Sequence, residues 1–333
     1  MPELNAMTKP VALICGVSGQ DGAYLARLLL DQGYRVVGTS RNAQTGSFDN
    51  LTRIGVRDQV ELALMAGNDF RTVVQILARY EPQEVYHLAG QSSVGLSFEQ
   101  PVETFESISL STLNVLEAIR VLGRGTRFYN AGSSECFGDH GDLPADESTP
   151  FRPRSPYAVA KAAAFWQVAN YREAYGLYAC SGILFNHESP LRPERFVTQK
   201  IVQAACRIAA GSNERLRLGN LDIYRDWGWA PEYVDAMARL LAQDVPLDMV
   251  IATGETHALE DFVAEAFDAV GLDWHDHVTS DPALMRPTDV RISRANPALA
   301  AEKLGWRANL RMRGVVRAMV AAEQARRVTP AAP

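Results

Sequence analysis

PVALICGVSGQDGAYLARLLLDQG, residues 10–33, contains an apolar run, a glycine-rich turn and a helical pattern, in that order. Gly16, Gly19 and Gly22 let the backbone come close to a pyrophosphate, and the N-terminus of the following helix attracts its negative charge. Their spacing is GxxGxxG rather than GxGxxG. The stretch predicts the first strand, turn and helix of an α/β domain that binds a dinucleotide.

Apolar strands and helical patterns continue to alternate after this stretch. The strands are predicted near residues 60–66, 84–89, 126–131 and 177–185, and the helices near 70–80, 101–122 and 156–175. This alternation predicts a Rossmann-type, doubly wound parallel sheet that binds its ligand at the C-terminal ends of the strands.

Tyr157 and Lys161 stand four residues apart in SPYAVAK, so on a helix they share one face. Ser155 and Pro156 predict the start of that helix, as cap and first helical residue. A lysine beside a cationic nicotinamide ring favours the phenolate, which predicts an acid/base for hydride transfer. The chain has four lysines, so a chance pairing with a tyrosine at this spacing is improbable. The glycine spacing and the YxxxK pair together resemble the short-chain dehydrogenase/reductase superfamily.

The second predicted strand, YRVVGTSR (34–41), ends at Arg41, at the position where an acidic residue would bind a free ribose 2′-hydroxyl. An arginine there pairs with a 2′-phosphate. We therefore expect NADP rather than NAD, the alternative being a solvated loop arginine.

Glu135 follows the strand that ends at Ala131, two residues after Ser133. In the superfamily the residue corresponding to Ser133 hydrogen-bonds the oxygen that is oxidised. A reductase or epimerase needs only the hydroxyl, the tyrosine and the lysine. A 4,6-dehydratase also needs a base for the proton next to the new ketone and an acid for the departing hydroxyl, and Glu135 can serve both steps.

Longer segments carry a more specific resemblance: GVSGQDGAYLARLLL (16–30), LAGQSSVGLSFEQP (88–101), SPYAVAK (155–161), NYREAYGLYACSGILFNHESP (170–190), FVTQKI (196–201), LGNLDIYRDWGWAPEYVDAM (218–237), VIATGE (250–255) and RPTDV (286–290). Together they resemble the GDP-mannose 4,6-dehydratase family over about residues 10–307. The FNHESP and RDWG segments distinguish it from dTDP- or CDP-sugar dehydratases.

The resemblance implies a role for individual residues. The catalytic residues would be Ser133, Glu135, Tyr157 and Lys161. NADP would contact Gly16, Ser18, Gly19, Gln20, Asp21, Gly22, Arg41, Asn68, Asp69, Leu88, Ala89, Gln91, Tyr157, Lys161, His187 and Arg192. GDP-mannose or a close GDP-sugar would contact Ser92, Asn186, Val197, Lys200, Leu218, Gly219, Arg225 and Arg286. The three cations of the last group lie on separate segments and could clamp a diphosphate.

The resemblance also implies a smaller, discontinuous C-terminal substrate domain. Residues 1–185 with about 223–271 would form the NADP-binding Rossmann domain, residues 186–222 and 272–328 the GDP-sugar-binding domain, and residues 329–333 a tail. The implied reaction converts GDP-mannose to GDP-4-keto-6-deoxymannose. A GDP-sugar reductase or epimerase, a dehydratase of a related GDP-hexose or heptose, and a non-catalytic GDP-sugar binder are the alternatives.

Several residues depart from the family pattern. Ser133 replaces a threonine, and Asn68 stands where an aspartate usually meets the adenine, although Asp69 could substitute. The loop 41–54 lacks paired arginines, and Leu191-Arg192-Pro193 replaces Arg-Arg-Gly. In the family these loops help to assemble tetramers. The resemblance implies a homodimer formed by the helices near 101–122 and 156–175, and these departures leave a tetramer open.

The composition limits the other classes of function. The 333 residues carry a net charge of -6 and no apolar run of membrane-spanning length, which argues against nucleic-acid and membrane partners. The N-terminus lacks the pattern of a signal peptide, so we expect a cytoplasmic protein. Four scattered cysteines without a CxxC pair suggest neither a disulfide framework nor a metal site.

Overall fold

The computed structural model describes residues 9–141 and 143–328, so the predicted tail lies outside the described residues. The strands are β1 (Val11–Cys15), β2 (Arg35–Ser40), β3 (Glu61–Leu64), β4 (Glu84–His87), β5 (Arg127–Ser133), β6 (Ala179–Leu184), β7 (Asn186–Glu188), β8 (Leu216–Leu218), β9 (Tyr224–Arg225), β10 (Trp227–Trp229), β11 (Met249–Ile251), β12 (His257–Ala258) and β13 (Val278–Ser280).

The helices are α1 (Gln20–Asp31), α2 (Asp49–Arg53), α3 (Phe70–Tyr80), α4 (Val94–Glu99), α5 (Pro101–Phe105), α6 (Ser111–Leu122), α7 (Pro156–Tyr175), α8 (Val197–Ala209), α9 (Ala230–Leu241), α10 (Leu259–Asp268), α11 (Ala298–Leu304) and α12 (Met312–Val328). A π-helical turn, Glu106–Leu110, joins α5 to α6.

Seven strands form one parallel sheet in the order β11-β6-β5-β4-β1-β2-β3. In the register, Ala12 of β1 lies between Val36 of β2 and Glu84 of β4. The chain moves outward from β1 in one direction through β3 and then returns to β4 on the other side. The crevice between the C-terminal ends of β1 and β4 is therefore the switch point at which such sheets bind ligands.

Helices cover both faces of the sheet. Side chains of α1 and α9, such as Leu29 and Met237, are buried on one face. Side chains of α3, α6 and α7, such as Leu77, Ile119 and Val168, are buried on the other. The prediction of a doubly wound, Rossmann-type parallel sheet is confirmed.

Local sequence explains where α7 begins and ends. The Ser155 hydroxyl accepts a hydrogen bond from the Ala158 amide at 3.1 Å, and Pro156 is the first helical residue. Gly176 ends the helix in the left-handed region, with φ of 67°. The helix therefore has the predicted bounds, and it points Tyr157 and Lys161 toward the C-terminal edge of the sheet.

A separate apolar cluster lies beside the sheet and is built mainly from α8, α10 and α12. In contrast, Ala300 and Leu304 of α11 pack on the cluster of the main sheet. Helices of the C-terminal half of the chain thus pack on two different apolar clusters. The domain boundaries remain a prediction.

The described residues contain no helix that is both long enough and apolar enough to cross a membrane. The four cysteines are buried and unpaired. Across residues 9–141 and 143–328, no three His, Cys, Asp or Glu side chains are grouped so that they could hold a metal ion.

Candidate active site

A cavity of about 380 Å³ opens at the C-terminal ends of the central strands. From the predicted set, it is lined by Asp21, Leu88, Ser92, Ser133, Glu135, Tyr157, Lys161, Asn186, His187, Arg192, Val197, Lys200, Leu218, Gly219, Arg225 and Arg286. The fold thus brings all four predicted catalytic residues, and all eight predicted substrate residues, to one cavity.

The other predicted cofactor residues do not line this cavity. They are Gly16, Ser18, Gly19, Gln20, Gly22, Arg41, Asn68, Asp69, Ala89 and Gln91. They follow the C-terminal ends of β1, β2, β3 and β4, which are neighbours in the sheet. A dinucleotide that lies along this edge, from the end of β3 across the end of β1 and into the cavity, would contact these residues as well as the predicted cofactor residues that line the cavity.

Tyr157 and Lys161 lie one helical turn apart on α7, beside the end of β5. The Lys161 ammonium donates a 2.7 Å hydrogen bond to the carbonyl oxygen of Ala131 and lies 5.9 Å from the centre of the Tyr157 ring. The Ser133 hydroxyl accepts a 3.3 Å hydrogen bond from the amide of Glu135. Together they place a hydroxyl, a phenol, an ammonium and a carboxylate on the same wall of the cavity.

Burial shifts the pKa values of the tyrosine and the lysine in opposite directions. It raises the pKa of Tyr157, and a hydrogen bond with Ser133 offsets only part of this rise. It lowers the pKa of Lys161 to about 8, because the charged form loses its hydration. The lower phenol pKa that we expect for catalysis therefore depends on the positive charge of a nicotinamide ring as well as on Lys161.

Asp21 and His187 connect the glycine-rich turn to the segment after β6. The carboxylate of Asp21 lies 3.0 Å from His187 Nε2, and His187 Nδ1 lies 2.7 Å from the carbonyl oxygen of Phe185. Burial raises the pKa of Asp21, but His187 and Arg192 together outweigh it and hold that pKa well below its usual range. The ionised carboxylate thus links the glycine-rich turn to His187 at the cavity.

The glycine-rich turn fits the pyrophosphate of a dinucleotide. A Cβ on Gly22 would lie 2.4 Å from the carbonyl oxygen of Gly16, and one on Gly16 would lie 2.9 Å from the amide nitrogen of Ala89. Gly19 caps α1 without a side-chain hydrogen bond, so the first amides of this helix face the turn. Backbone donors and close packing are what a pyrophosphate requires.

Three residues of the predicted adenosine side lie further along the sheet edge. Arg41 follows β2 directly, and within residues 9–141 and 143–328 its side chain has no hydrogen bond or ion pair. Asn68 donates to the Glu106 carboxylate at 3.3 Å, and Asp69 caps α3 by accepting from the Arg71 amide at 3.0 Å. One oxygen of the Asp69 carboxylate is therefore used to cap α3.

Two acidic residues outside the predicted set organise the arginines of the site. Buried Glu188 lines the cavity and accepts a 2.8 Å hydrogen bond from Arg192. Asp289 accepts from Arg225 at 3.0 Å and from Arg286 at 3.5 Å, and so links two of the predicted diphosphate-binding cations. Their positions inside the FNHESP and RPTDV segments were the available sequence signals.

A family model described as GDP-mannose 4,6 dehydratase matches residues 13–319. GDP-mannose 4,6 dehydratase 1 of Arabidopsis thaliana is 45% identical over 322 residues, which is 94% of this chain and 89% of the relative. GDP-mannose 4,6-dehydratase of Sinorhizobium fredii is 44% identical over 336 residues, or 94% and 96% of the two chains.

Solved structures also share the whole architecture. UDP-glucose 4-epimerase of Thermus thermophilus, in complex with NAD, superposes with a TM-score of 0.82 at 26% identity, over 94% of this chain and 99% of that one. The family model covers most of the chain, and the relatives match it over nearly their full length. The chain belongs to the GDP-mannose 4,6-dehydratase family.

Proposed function

We propose that the protein converts GDP-D-mannose to GDP-4-keto-6-deoxy-D-mannose, as a GDP-mannose 4,6-dehydratase. The proposal rests on one observation, the presence of Glu135 in the same cavity as Ser133, Tyr157 and Lys161 in a chain of this family. Oxidation at C4 needs only the last three residues. Removal of water also needs a group that takes the C5 proton and protonates the oxygen leaving C6, and Glu135 fills that role.

In this mechanism Ser133 orients the C4 hydroxyl and Tyr157 takes its proton, while the Lys161 ammonium holds positive charge nearby. Glu135 then takes the C5 proton, which the new C4 ketone acidifies, and gives a proton to the hydroxyl that departs from C6 as water. A nicotinamide dinucleotide, when bound, would in its oxidised form supply further positive charge beside the phenol and accept the C4 hydride, and would in its reduced form return that hydride to C6. When the hydride returns to C6, C5 takes up a proton that has exchanged with solvent, and Tyr157 releases the proton that it took from the C4 hydroxyl. Water is thus the only group lost, and no external reductant is used.

Substitution of Glu135 separates this reaction from that of a reductase or epimerase. Glu135→Gln removes the acid and base and should lower dehydration by at least about a hundredfold, because positioned proton transfer contributes that much. Oxidation at C4 should persist, so ultraviolet absorbance should show reduced cofactor accumulating on the enzyme.

Glu173→Gln changes an exposed glutamate of α7 and serves as the control, with unchanged dehydration expected. A Glu135→Gln variant that dehydrates GDP-mannose at the wild-type rate would exclude the proposed role. Wild-type protein that epimerises or reduces a GDP-sugar without losing water would favour the alternative.

The cofactor is a nicotinamide dinucleotide, and we propose NADP on the basis of Arg41. Its guanidinium has no acidic partner among the described residues and follows β2, where a 2′-phosphate would lie. Arg41→Ala should weaken NADP binding about tenfold or more, since hydrogen bonds between charged groups are strong. NAD lacks the phosphate and is the matched control, so its dissociation constant should not change in a fluorescence titration. Equal losses for the two dinucleotides would contradict the assignment.

We further propose that the protein acts as a cytoplasmic homodimer. Exposed apolar side chains of α5 and α7 support the dimer: Val102 is 65% exposed, Val159 41% and Trp166 61%. Such a group of apolar side chains on adjacent helices is typical of a subunit interface.

A further inference from the structure

The helical segment from Pro101 to Leu122 is not continuous α-helix. Its hydrogen bonding changes at the π-helical turn Glu106–Leu110, although the flanking residues Phe105 and Ser111 keep right-handed helical dihedrals. A π-helical turn adds a residue to the helix and so changes which side chains share a face, and such turns are frequent at functional sites. The residues of this π-helical turn contact two loops at the edge of the sheet and one neighbouring helix.

The first set of contacts is with the loop after β4. The Ser107 hydroxyl accepts a 3.1 Å hydrogen bond from the amide of Gln91 and donates to the carbonyl oxygen of Thr104 at 3.3 Å. A Cβ on Gly90 would lie 2.8 Å from Ile108 Cγ1. The backbone at 90 and 91 therefore lies directly against the π-helical turn.

The second set of contacts is with the loop after β3. Asn68 donates to the carboxylate of Glu106, the first residue of the turn, at 3.3 Å. A Cβ on Gly67 would lie 2.0 Å from the hydroxyl of Ser111, and Asn114 donates to the Gly67 carbonyl oxygen at 2.9 Å. The segment from Pro101 to Leu122 thus contacts the loops after β3 and β4, and both loops carry predicted cofactor residues.

A third contact joins the π-helical turn to α7 rather than to a loop, and it allows two serines of the same turn to be compared. The Ser109 hydroxyl accepts a 3.1 Å hydrogen bond from the side-chain amide of Gln167 on α7. Ser107 and Ser109 are therefore chemically alike and two residues apart, yet only Ser107 holds a loop of the cofactor edge.

We propose that Ser107 is a positioning residue. Through Ser107, the π-helical turn holds the loop Gly90–Ser93 in the position that binding of a nicotinamide dinucleotide requires. The inference rests on the cofactor site of the proposed function. Ser92 and Ser93 line the cavity, so the same loop extends from the cofactor edge to the substrate side. Displacement of this loop weakens cofactor binding first, because Gln91 is the residue that loses its anchor.

The test compares Ser107→Ala with Ser109→Ala in the full-length protein. Fluorescence titration gives the dissociation constant for NADP, and steady-state kinetics at saturating cofactor give kcat and KM for GDP-mannose. Ser107→Ala should raise the NADP dissociation constant roughly three- to tenfold, the effect of leaving one backbone donor without its partner, with kcat changed less than about twofold. Ser109→Ala should leave the dissociation constant unchanged, and Ser107→Thr, which keeps the hydroxyl, should restore it.

Equal effects of the two alanine variants, or no effect of either, would overturn the proposal. A merely structural role for Ser107 would lower the melting temperature without this selective loss of affinity. Turnover of GDP-mannose by the wild type tests the proposed function separately. Wild-type protein that binds NADP but forms no product would contradict only the function, and the comparison of dissociation constants would still decide the role of Ser107.

Discussion

Asp226 is a fully buried carboxylate next to Arg225, one of the predicted substrate residues. It accepts hydrogen bonds from the amides of Thr253 at 2.9 Å and Gly254 at 2.7 Å, and so ties β9 to the loop after β11. Burial outweighs these bonds and raises the pKa of Asp226 from 3.8 to about 6. The folded state therefore binds a proton at this group more tightly than the unfolded chain does.

This shift predicts a dependence of stability on pH. The contribution of Asp226 is complete below its unfolded pKa of about 4 and is lost as pH rises through about 6, a change of about 3 kcal/mol for two pKa units. Asp226→Asn cannot ionise and should lack this loss. Urea unfolding of both proteins between about pH 4 and pH 7 should show the variant gaining stability relative to the wild type. A difference that stays constant over this range would contradict the prediction.

Residue-level features were predictable from sequence when their partners are local. The cap at Ser155 needs only the three residues that follow, and the Tyr157–Lys161 pair needs only the helical repeat. The environment of Asp226 depends on Thr253 and Gly254, which are distant in sequence, and the link from Asp289 to Arg225 is of the same kind. The raised pKa of Tyr157 also follows from burial by the whole fold.

Among the elements, the glycine-rich turn after β1 has no space for a side chain at Gly22. A Cβ on Gly22 would lie 2.4 Å from Gly16 O and 2.7 Å from Val17 Cα, and both are backbone atoms that a side-chain rotation cannot move away. The turn and the start of α1 therefore have one position relative to each other, and that position forms the expected pyrophosphate site.

Gly22→Ala should displace this turn and weaken NADP binding by about tenfold or more, the equivalent of about 1.4 kcal/mol. Gly314→Ala is the matched control, because this helical glycine of α12 has its nearest neighbour at 3.6 Å from a Cβ. The control should bind NADP normally and gain up to about 1 kcal/mol of stability. Circular dichroism would confirm that both variants are folded, and wild-type affinity in Gly22→Ala would contradict the tight packing of the turn.

Elements with a uniform pattern were predicted well, as α3 at 70–80 and α7 at 156–175 show. The π-helical turn within 101–122 was not predicted. Its residues have the apolar repeat of an ordinary helix, and the hydrogen bonds that favour the turn come from loops after other strands.

At the scale of the molecule, the exposed apolar surface of α5 and α7 indicates where a second copy binds. Trp166 is 61% exposed, and its ring contacts Phe151 and Phe165 beneath it. A tryptophan supported in this way is typical of the residues that dominate interface energies.

Trp166→Arg should convert the expected homodimer to a monomer, since a charge would be buried without a partner at the interface. Val245→Arg is the control, because Val245 is 63% exposed but lies on the loop after α9. Analytical ultracentrifugation should report half the wild-type mass for the first variant and the wild-type mass for the second. A monomeric wild type, or a dimeric Trp166→Arg variant, would contradict the proposed interface.

The architecture of the sheet could be predicted because strands and helices alternate along the chain. The division into domains is harder to predict, because it depends on long-range packing. The helix α10 packs with α8 and α12, whereas α11 packs on the main sheet. No local sequence pattern indicates which of the two apolar clusters a helix joins.

Proton NMR of GDP-mannose incubated with the protein and NADP in deuterated buffer, without added reductant, is the most direct test of the proposed reaction. We expect a new methyl signal from C6, deuterium at C5 and no net change in the oxidation state of the cofactor, because the hydride removed from C4 returns to C6. An unchanged spectrum from protein that demonstrably binds both ligands, or product formed only with stoichiometric consumption of a reductant, would contradict it.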